Sequence, residues 1–370
     1  MSKIDDLIKE LCPNGVKYKT IKEFTKVLRG KRLTTKELCD DASFPVYHGG
    51  LEPLGYYHEF NRLGDTVMVV NVGASAGTVG YSKCDFWSSD GCYCIEHNDI
   101  LLNRYLYHYL KNSENYFMSR VRKAGIPTLD GSVIERFKVA IPPLEVQKEI
   151  VRILDKFGEL EAELEAELEA RKNQYEFWRG QMFKRKGNTK ISDMFTRVKG
   201  TAITAGKMKE IEDTNGKIRI FAGGQTAVNA NLKDIPKANI IDYPCVIVQS
   251  RGLIDFVYYD KPFTFKNEMW AYTCDNQVTV KYLYYYLKNN VNYFREIGTQ
   301  MGSMPQISLP VTEKFEIYLP TLEEQKKVVN ILDKFEKLIS NISIGLPSEI
   351  ELRKKQYEYY RNKLLSFEVL

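Results

Sequence analysis

Cys84, Cys92, Cys94 and His97 form the densest set of soft metal ligands in the chain, and zinc is the chemistry they suggest. Their spacing argues against it, because it contains no Cys-x2-Cys pair; buried or half-buried thiols account for the same residues. Six glutamates at every second position from Glu159 to Glu169 offer carboxylates for acid–base work. On a helix that spacing turns them around the axis, so they converge on nothing. Gly73 to Gly80 (GASAGTVG) lacks the G-x-G-x-x-G spacing of a dinucleotide site and reads as a flexible loop between strands. No Walker A sequence occurs. Pro142-Pro143, flanked by Ile141 and Leu144, is not the N-P-P-aromatic motif of adenine methyl transfer. No catalytic residue and no metal ligand is assigned, and the chain is read as not an enzyme.

The elements that hold these residues are written twice. IPPLEVQKEIVRILDKF at 141–157 returns as LPTLEEQKKVVNILDKF at 319–335, identical at 11 of 17 positions. KNQYEFWR at 172–179 returns as KKQYEYYR at 354–361, and NRYLYHYLKNSENYF at 103–117 as VKYLYYYLKNNVNYF at 280–294. A unit of roughly 180 residues is too long for a solenoid repeat and implies two equivalent halves with pseudo-twofold symmetry. The duplication weighs against zinc as well: an offset of 178 turns the four ligands into Pro262, Trp270, Tyr272 and Asp275.

Each half opens with β-branched and aromatic runs between Gly- and Pro-rich turns, such as DTVMVVNVG and CVIVQS, which predict strands. One aromatic helix follows in each (YLYHYLKN and YLYYYLKN), and each half ends in a long helix. From Ile150 to Met182 the apolar positions step mostly by three and four, a heptad-like stripe. The fold class is α+β: two mainly β domains joined by two long helical segments, read as antiparallel and coiled-coil-like. Boundaries are expected at 1–142, 143–186, 187–320 and 321–370. Gly345 and Pro347 predict a break near 345–347, with Ser348-Glu349-Ile350-Glu351 as a capping box restarting the helix. LEAELEAELEAR at 160–171 reads first as a solvated helix with one leucine row. It also reads as a ruler, each four-residue unit adding about 6 Å.

With 44% hydrophobic and 27% charged residues, each half can bury an ordinary core. A net charge of +5 (53 basic less 48 acidic) permits a nucleic-acid partner without demanding one. Seven cysteines without framework spacing fit a reduced, cytoplasmic compartment, and no apolar run approaches a membrane span. The opening MSKIDDLIKEL reads as a short charged amphipathic stretch and not as a secretory leader.

A variable domain, then PPLEVQKEI…LDKF, then a helix ending RKNQYEFWR, the whole repeated, resembles the specificity (S) subunits of type I restriction–modification enzymes. The resemblance spans essentially the whole chain. Its specific part is the duplicated block Gln147-Lys148…Leu154-Asp155-Lys156-Phe157 and Gln325-Lys326…Leu332-Asp333-Lys334-Phe335. It implies a non-catalytic DNA reader in which 1–142 and 187–320 are target-recognition domains, each contacting one half of a bipartite, asymmetric site on double-stranded DNA. It further implies that the helices set the half-site spacing and dock two methyltransferase (M) subunits, with restriction (R) subunits joining for cleavage. S-adenosylmethionine, ATP and Mg are then expected on those partners, and no cofactor on this chain. The competing reading is a helical scaffold or partner-binding protein without DNA readout.

Sequence readout needs polar side chains in loops, with lysines and arginines on phosphates. Three loop groups in each half qualify. The entry loop carries Arg29, Lys31, Arg32, Thr34 and Thr35, against Arg197, Lys199, Thr201 and Thr204. The inter-strand loop carries His48, Ser75 and Lys83, against Gln225, Ser250, Arg251 and Lys266. The loop before the last strand carries Arg122, Lys123 and Thr128, against Gln300, Ser303 and Gln306. Any one of these taken singly reads first as a solvated surface residue; the groups carry the expectation. Tyr175, Trp178 and Met182, with Tyr357, Tyr360 and Leu364, are candidates for partner binding and, on the competing reading, ordinary helix-pair core.

Overall fold

Two short runs rich in β-branched residues decide the architecture, and the computed structural model shows how: Thr66–Val70 and Cys245–Gln249 are buried along their whole length. Such continuous strands suit a sheet covered on both faces. The structure describes all residues except 1–2, 225, 300–303 and 341–344. The chain forms two compact units, residues 1–165 with 349–370, and residues 166–348.

In the first unit Thr66–Val70 lies inside a four-stranded antiparallel sheet, between Cys92–Ile95 and Val79–Ser82, with Val27–Arg29 at one edge. A three-stranded sheet runs Gly55–Tyr57, Phe44–Tyr47, Trp87–Ser88, its last pair parallel. The second unit repeats both sheets in the same order. Thr196–Lys199, Trp270–Thr273, Cys245–Gln249 and Asp255–Tyr259 make the four-stranded sheet. Ala227–Ala230, Ile218–Phe221 and Phe263–Phe265 make the three-stranded one.

Alternation along the central strands sorts their side chains between two cores. Val67 and Val69 pack with Tyr105, Leu106 and Leu110 of the aromatic helix Asn103–Asn112. Met68, one step out of phase, packs with Phe86 and Cys94. Val246 and Val248 likewise join Tyr282, Leu283 and Leu287 of the helix Gln277–Asn289, while Cys245 and Ile247 join Phe263 and Phe265.

The first long helix, Leu144–Met182, is unbroken over 39 residues and serves both units. Val146, Ile150 and Leu154 belong to the first unit's core; Tyr175 belongs to the second's. The second helical segment is two helices, Leu322–Ser340 and Leu346–Leu364. The restart differs from the expected capping box. Helix begins at Leu346 with Pro347 in its first turn, so Ser348 already lies inside it, where its amide donates to Gly345 O at 3.0 Å. Proline is tolerated there because a first-turn N–H has no intrahelical partner.

Within the first unit the two helices meet side by side. Phe157 stacks on Tyr360 with ring centres 5.5 Å apart, and one to two turns further on Lys354 reaches Glu165 at 2.8 Å and Glu161 at 3.4 Å. In the second unit Tyr175 meets Phe335 at 6.2 Å. The C-terminal tail then closes on the N-terminal region: Val369 bridges Val16, and Leu370 N–H donates to Val16 O at 3.1 Å.

Candidate nucleic-acid interface

The loop after each central strand is clamped to the loop before the last strand by the same three backbone contacts. In the first unit Gly73 N–H donates to Pro127 O at 2.9 Å, Leu129 N–H donates to Asn71 O at 2.8 Å, and Val72 faces Thr128 between them. In the second unit Gly252 N–H donates to Pro305 O at 2.8 Å, Ile307 N–H donates to Ser250 O at 2.9 Å, and Arg251 faces Gln306. Gly73 and Gly252 both adopt left-handed backbone, φ +90° and +75°, which favours glycine at the turn. One frame thus carries different side chains in each unit.

The entry loops join this frame from the sheet edge. Arg29 and Arg197 lie on edge strands, and Gly30 and Gly200 are pressed against the carbonyls of Ser89 and Phe265, where a Cβ would stand 2.0 and 2.2 Å away. Lys31 N–H donates to Ser88 O at 2.9 Å and its ammonium lies 5.9 Å from the Trp87 ring centre. Thr201 N–H donates to Phe265 O at 2.7 Å. Arg29, Lys31, Arg32, Lys123, Arg197, Lys199 and Arg251 are all exposed, and none pairs with a carboxylate among the described residues. Exposed cations without partners are what phosphate contacts require.

Several expected members behave otherwise. Lys83 does not reach the loops: the hairpin pairs Thr66 with Ser82, so Lys83 follows its far end and lines a cleft with Arg104, Asp155 and Glu159. Ser250 is buried, its hydroxyl donating to Glu268 O at 3.1 Å, which leaves the exposed Arg251 as the polar group there. Thr34 caps a 3-10 turn, its hydroxyl donating to Glu37 at 2.7 Å; Thr201 Oγ1 is 2.7 Å from Thr264 Oγ1. Thr128 donates its hydroxyl to Ile126 O at 2.9 Å, and Ser75 sits half-buried in the clamped loop. Gln225, Gln300 and Ser303 lie outside the described residues. Three positions escaped the sequence reading. Val72 is apolar and so gave no signal, and Ile126 and Met304 are exposed apolar residues at equivalent loop positions.

The duplicated block holds each aromatic helix to its long helix. Gln147 is buried, accepting from Leu102 N–H at 2.8 Å and donating to Pro142 O at 2.8 Å; Gln325 accepts from Thr279 Oγ1 and donates to Pro320 O, both at 2.8 Å. Asp155 receives Arg104 and His108 at 2.8 Å each. Asp333 receives Lys281 at 3.4 Å and the Tyr285 hydroxyl. Burial drives the His108 imidazole down to about 4, the Asp155 bond opposing and nearby Arg104 adding to the shift. Burial, then Glu336 and Asp333, keep the Tyr285 hydroxyl protonated far above the ordinary tyrosine range.

On the helices, Tyr175 and Leu364 are core residues, while Met182 and Tyr357 are half-buried against the two cores. Trp178 (43% exposed) faces outward beside the more exposed Phe177, while Tyr360 (36%) stacks on Phe157 and keeps only part of its ring exposed, beside the more exposed Tyr359. No helix among the described residues is long and apolar enough to cross a membrane.

Comparison with known proteins follows the same division of the chain. The family model for the type I restriction modification DNA specificity domain matches twice, at residues 13–170 and 185–352. The chain is 28% identical to a putative type I restriction enzyme specificity subunit of Haemophilus influenzae, covering 98% of both chains. It is 33% identical to the EcoR124I/EcoR124II specificity subunit of Escherichia coli over 60% of each. Among solved structures it resembles an S subunit from Mycoplasma genitalium type I restriction–modification, at TM-score 0.67 and 16% identity over 95% of this chain and 97% of that one. The fold recurs, at TM-score 0.59 and 12% identity over 95% and 98%, in a chain from work on complex assembly of the type I R-M system.

Proposed function

The chain belongs to the family of type I restriction–modification DNA specificity domains, and from that premise we propose that it is the sequence-reading subunit of such a system and carries no catalysis itself. Each unit reads one half of a bipartite, asymmetric site on double-stranded DNA. The observation that carries this is the clamped loop frame: identical backbone contacts in both units, bearing Val72 and Thr128 in one and Arg251 and Gln306 in the other. Equal frames place side chains equivalently against a duplex; unequal side chains select different bases. The unpaired cations Arg29, Lys31, Arg32, Lys123, Arg197 and Lys199 supply phosphate contacts around it.

In this reading the helical segments are spacers whose pairing is antiparallel and coiled-coil-like, with LEAELEAELEAR as an adjustable length. Their outward aromatics, Trp178 and Tyr360 first, dock two methyltransferase subunits, and restriction subunits complete the complex in the cytoplasm. S-adenosylmethionine, ATP and Mg belong to those partners. Support comes from the relatives, each described as a specificity subunit, and from the duplicated helical block, which fits two copies of one partner.

Mapping methylated adenines in the host genome, with the gene present and deleted, tests the proposal. Disappearance of one split, asymmetric motif on deletion is the expected result. An unchanged map, in a host whose methyltransferase subunits are expressed and co-purify with the chain, would defeat it.

A further inference from the structure

The clamp between the two loops is a single pair of facing residues, and its hydrogen bonds define its geometry. In each unit the flanking residues exchange the two backbone bonds, so Val72 with Thr128, and Arg251 with Gln306, are non-hydrogen-bonded antiparallel pairs. Side chains of such a pair project from the same face, their Cα atoms about 4.5 Å apart. We propose that this pair is the principal base-reading element of each unit: Arg251 and Gln306 read a purine in one half-site, and Val72 and Thr128 contact a thymine methyl in the other. The assignment rests on the DNA-reading function proposed above and specifies its site.

Two observations single the pair out. Neither the Arg251 guanidinium nor the Gln306 amide makes a side-chain hydrogen bond or ion pair among the described residues, although both sit on a rigidly clamped backbone. An uncommitted donor fork beside a free amide, both on a fixed backbone, matches the major-groove edge of guanine or adenine. In the first unit the Thr128 hydroxyl is spent on Ile126 O at 2.9 Å, so the pair presents methyl groups. That surface fits the C5-methyl of thymine and offers nothing to a guanine edge.

The surroundings are shaped for close approach. A Cβ built on Gly73 would have only Gly49 O near it, at 3.9 Å, and one built on Gly252 only Gly224 Cα, at 3.8 Å. A Cβ built on Gly50 would meet nothing within 4 Å, so packing within the chain does not call for glycine there. A side-chain-free floor therefore lies beside the pair in both units. In the second unit it continues into a concavity of about 390 Å³ that includes Gly223, Gly224, Arg251, Gly252 and Met304. Two residues before Thr128 and Gln306 stand the exposed Ile126 (70%) and Met304 (55%), apolar groups set where a base would stack or a methyl would rest. Left-handed backbone already calls for glycine at 73 and 252; it does not call for glycine at 50 or for exposed apolar side chains at 126 and 304, and a base edge brought against the loop accounts for these.

The experiment uses the full chain assembled with its methyltransferase subunits, reading the methylated motif by sequencing. The wild-type complex must first yield a split motif that depends on this chain; if it does not, the functional reading falls and the pair with it. Given that motif, Arg251→Ala with Gln306→Ala should relax one or two adjacent positions of a single half-site, by roughly tenfold to a hundredfold in preference. The other half-site should stay intact. Val72→Arg with Thr128→Gln is the converse, expected to shift a position in the other half-site toward a purine. A uniform fall in methylation at unaltered sequence preference would make Arg251 a phosphate contact and overturn the assignment, as would unchanged motifs in both variants.

Discussion

His108 and Tyr285 occupy the same place in the two aromatic helices, and each reaches the aspartate of the duplicated block. Histidine is the more costly choice. Its Nδ1 is buried without a partner among the described residues while Nε2 lies on Asp155, so the neutral imidazole is the folded form. With an ordinary value near 6.5 in the unfolded chain and about 4 in the fold, the unfolded chain takes up a proton that the folded one refuses. Stability is therefore greatest above pH 6.5, falls as pH drops toward 4, and levels below that, a loss of roughly 2–4 kcal/mol. Replacing His108→Tyr, the residue of the second copy, should flatten that part of the melting-temperature profile. Superimposable profiles for the two proteins between pH 6.5 and 4.5 would show that His108 does not titrate in this way. The importance of the Gln…Asp block was legible in the sequence from its repetition. Its role was not, because Gln147 and Asp155 act on residues some 45 to 50 positions earlier.

At the scale of elements, local periodicity was a sufficient guide. Runs of β-branched and aromatic residues between turns predicted the strands, and the three- and four-residue steps predicted a helix that runs unbroken from Leu144 to Met182. The same stripe left open which of its aromatics are core and which are surface. Tyr175 is buried beside Phe335, so Tyr175→Ala should cost about 3–5 kcal/mol in thermal or denaturant unfolding. Trp178 is one turn away and outward, its ring set edge-on to Phe177 at 5.5 Å. Trp178→Ala should change stability by less than about 1 kcal/mol and release the methyltransferase subunits in co-purification. Undiminished co-purification would remove Trp178 from the docking surface; a large loss of stability would place it in the core instead.

At the scale of the whole molecule, the first unit is assembled from both ends of the chain. Ile350, Tyr357, Leu364 and Leu365 are buried or half-buried, the last three of them with residues of the first 160 positions. The Tyr18 hydroxyl donates to Phe367 O at 2.9 Å. At about 1.5–3 kcal/mol per buried apolar side chain, these four amount to as much as a whole domain's usual margin. Truncation after Ser348 should therefore unfold or loosen the first unit and spare the second. Amide exchange should rise sharply in Thr66–Val70 and stay low in Cys245–Gln249. Equal protection of both strands after truncation would show that the C-terminal helix is not needed for the first unit to fold.

The amino-acid sequence alone determined the duplication, the two α+β halves and the long helices, because each is written in repeats, in β-branched runs between turn residues, or in a period of about 3.6 residues. It also marked the loops, since turn residues and cations cluster there. Tertiary structure decided what shares a site. A hairpin carries Ser75 and Lys83 to opposite ends although they are neighbours in sequence, and a bridge brings Arg251 to Gln306 across more than fifty residues. It also decided that the second helical segment returns its last part to the first unit. Periodicity reports which face of an element is apolar; only the packed chain shows what that face meets.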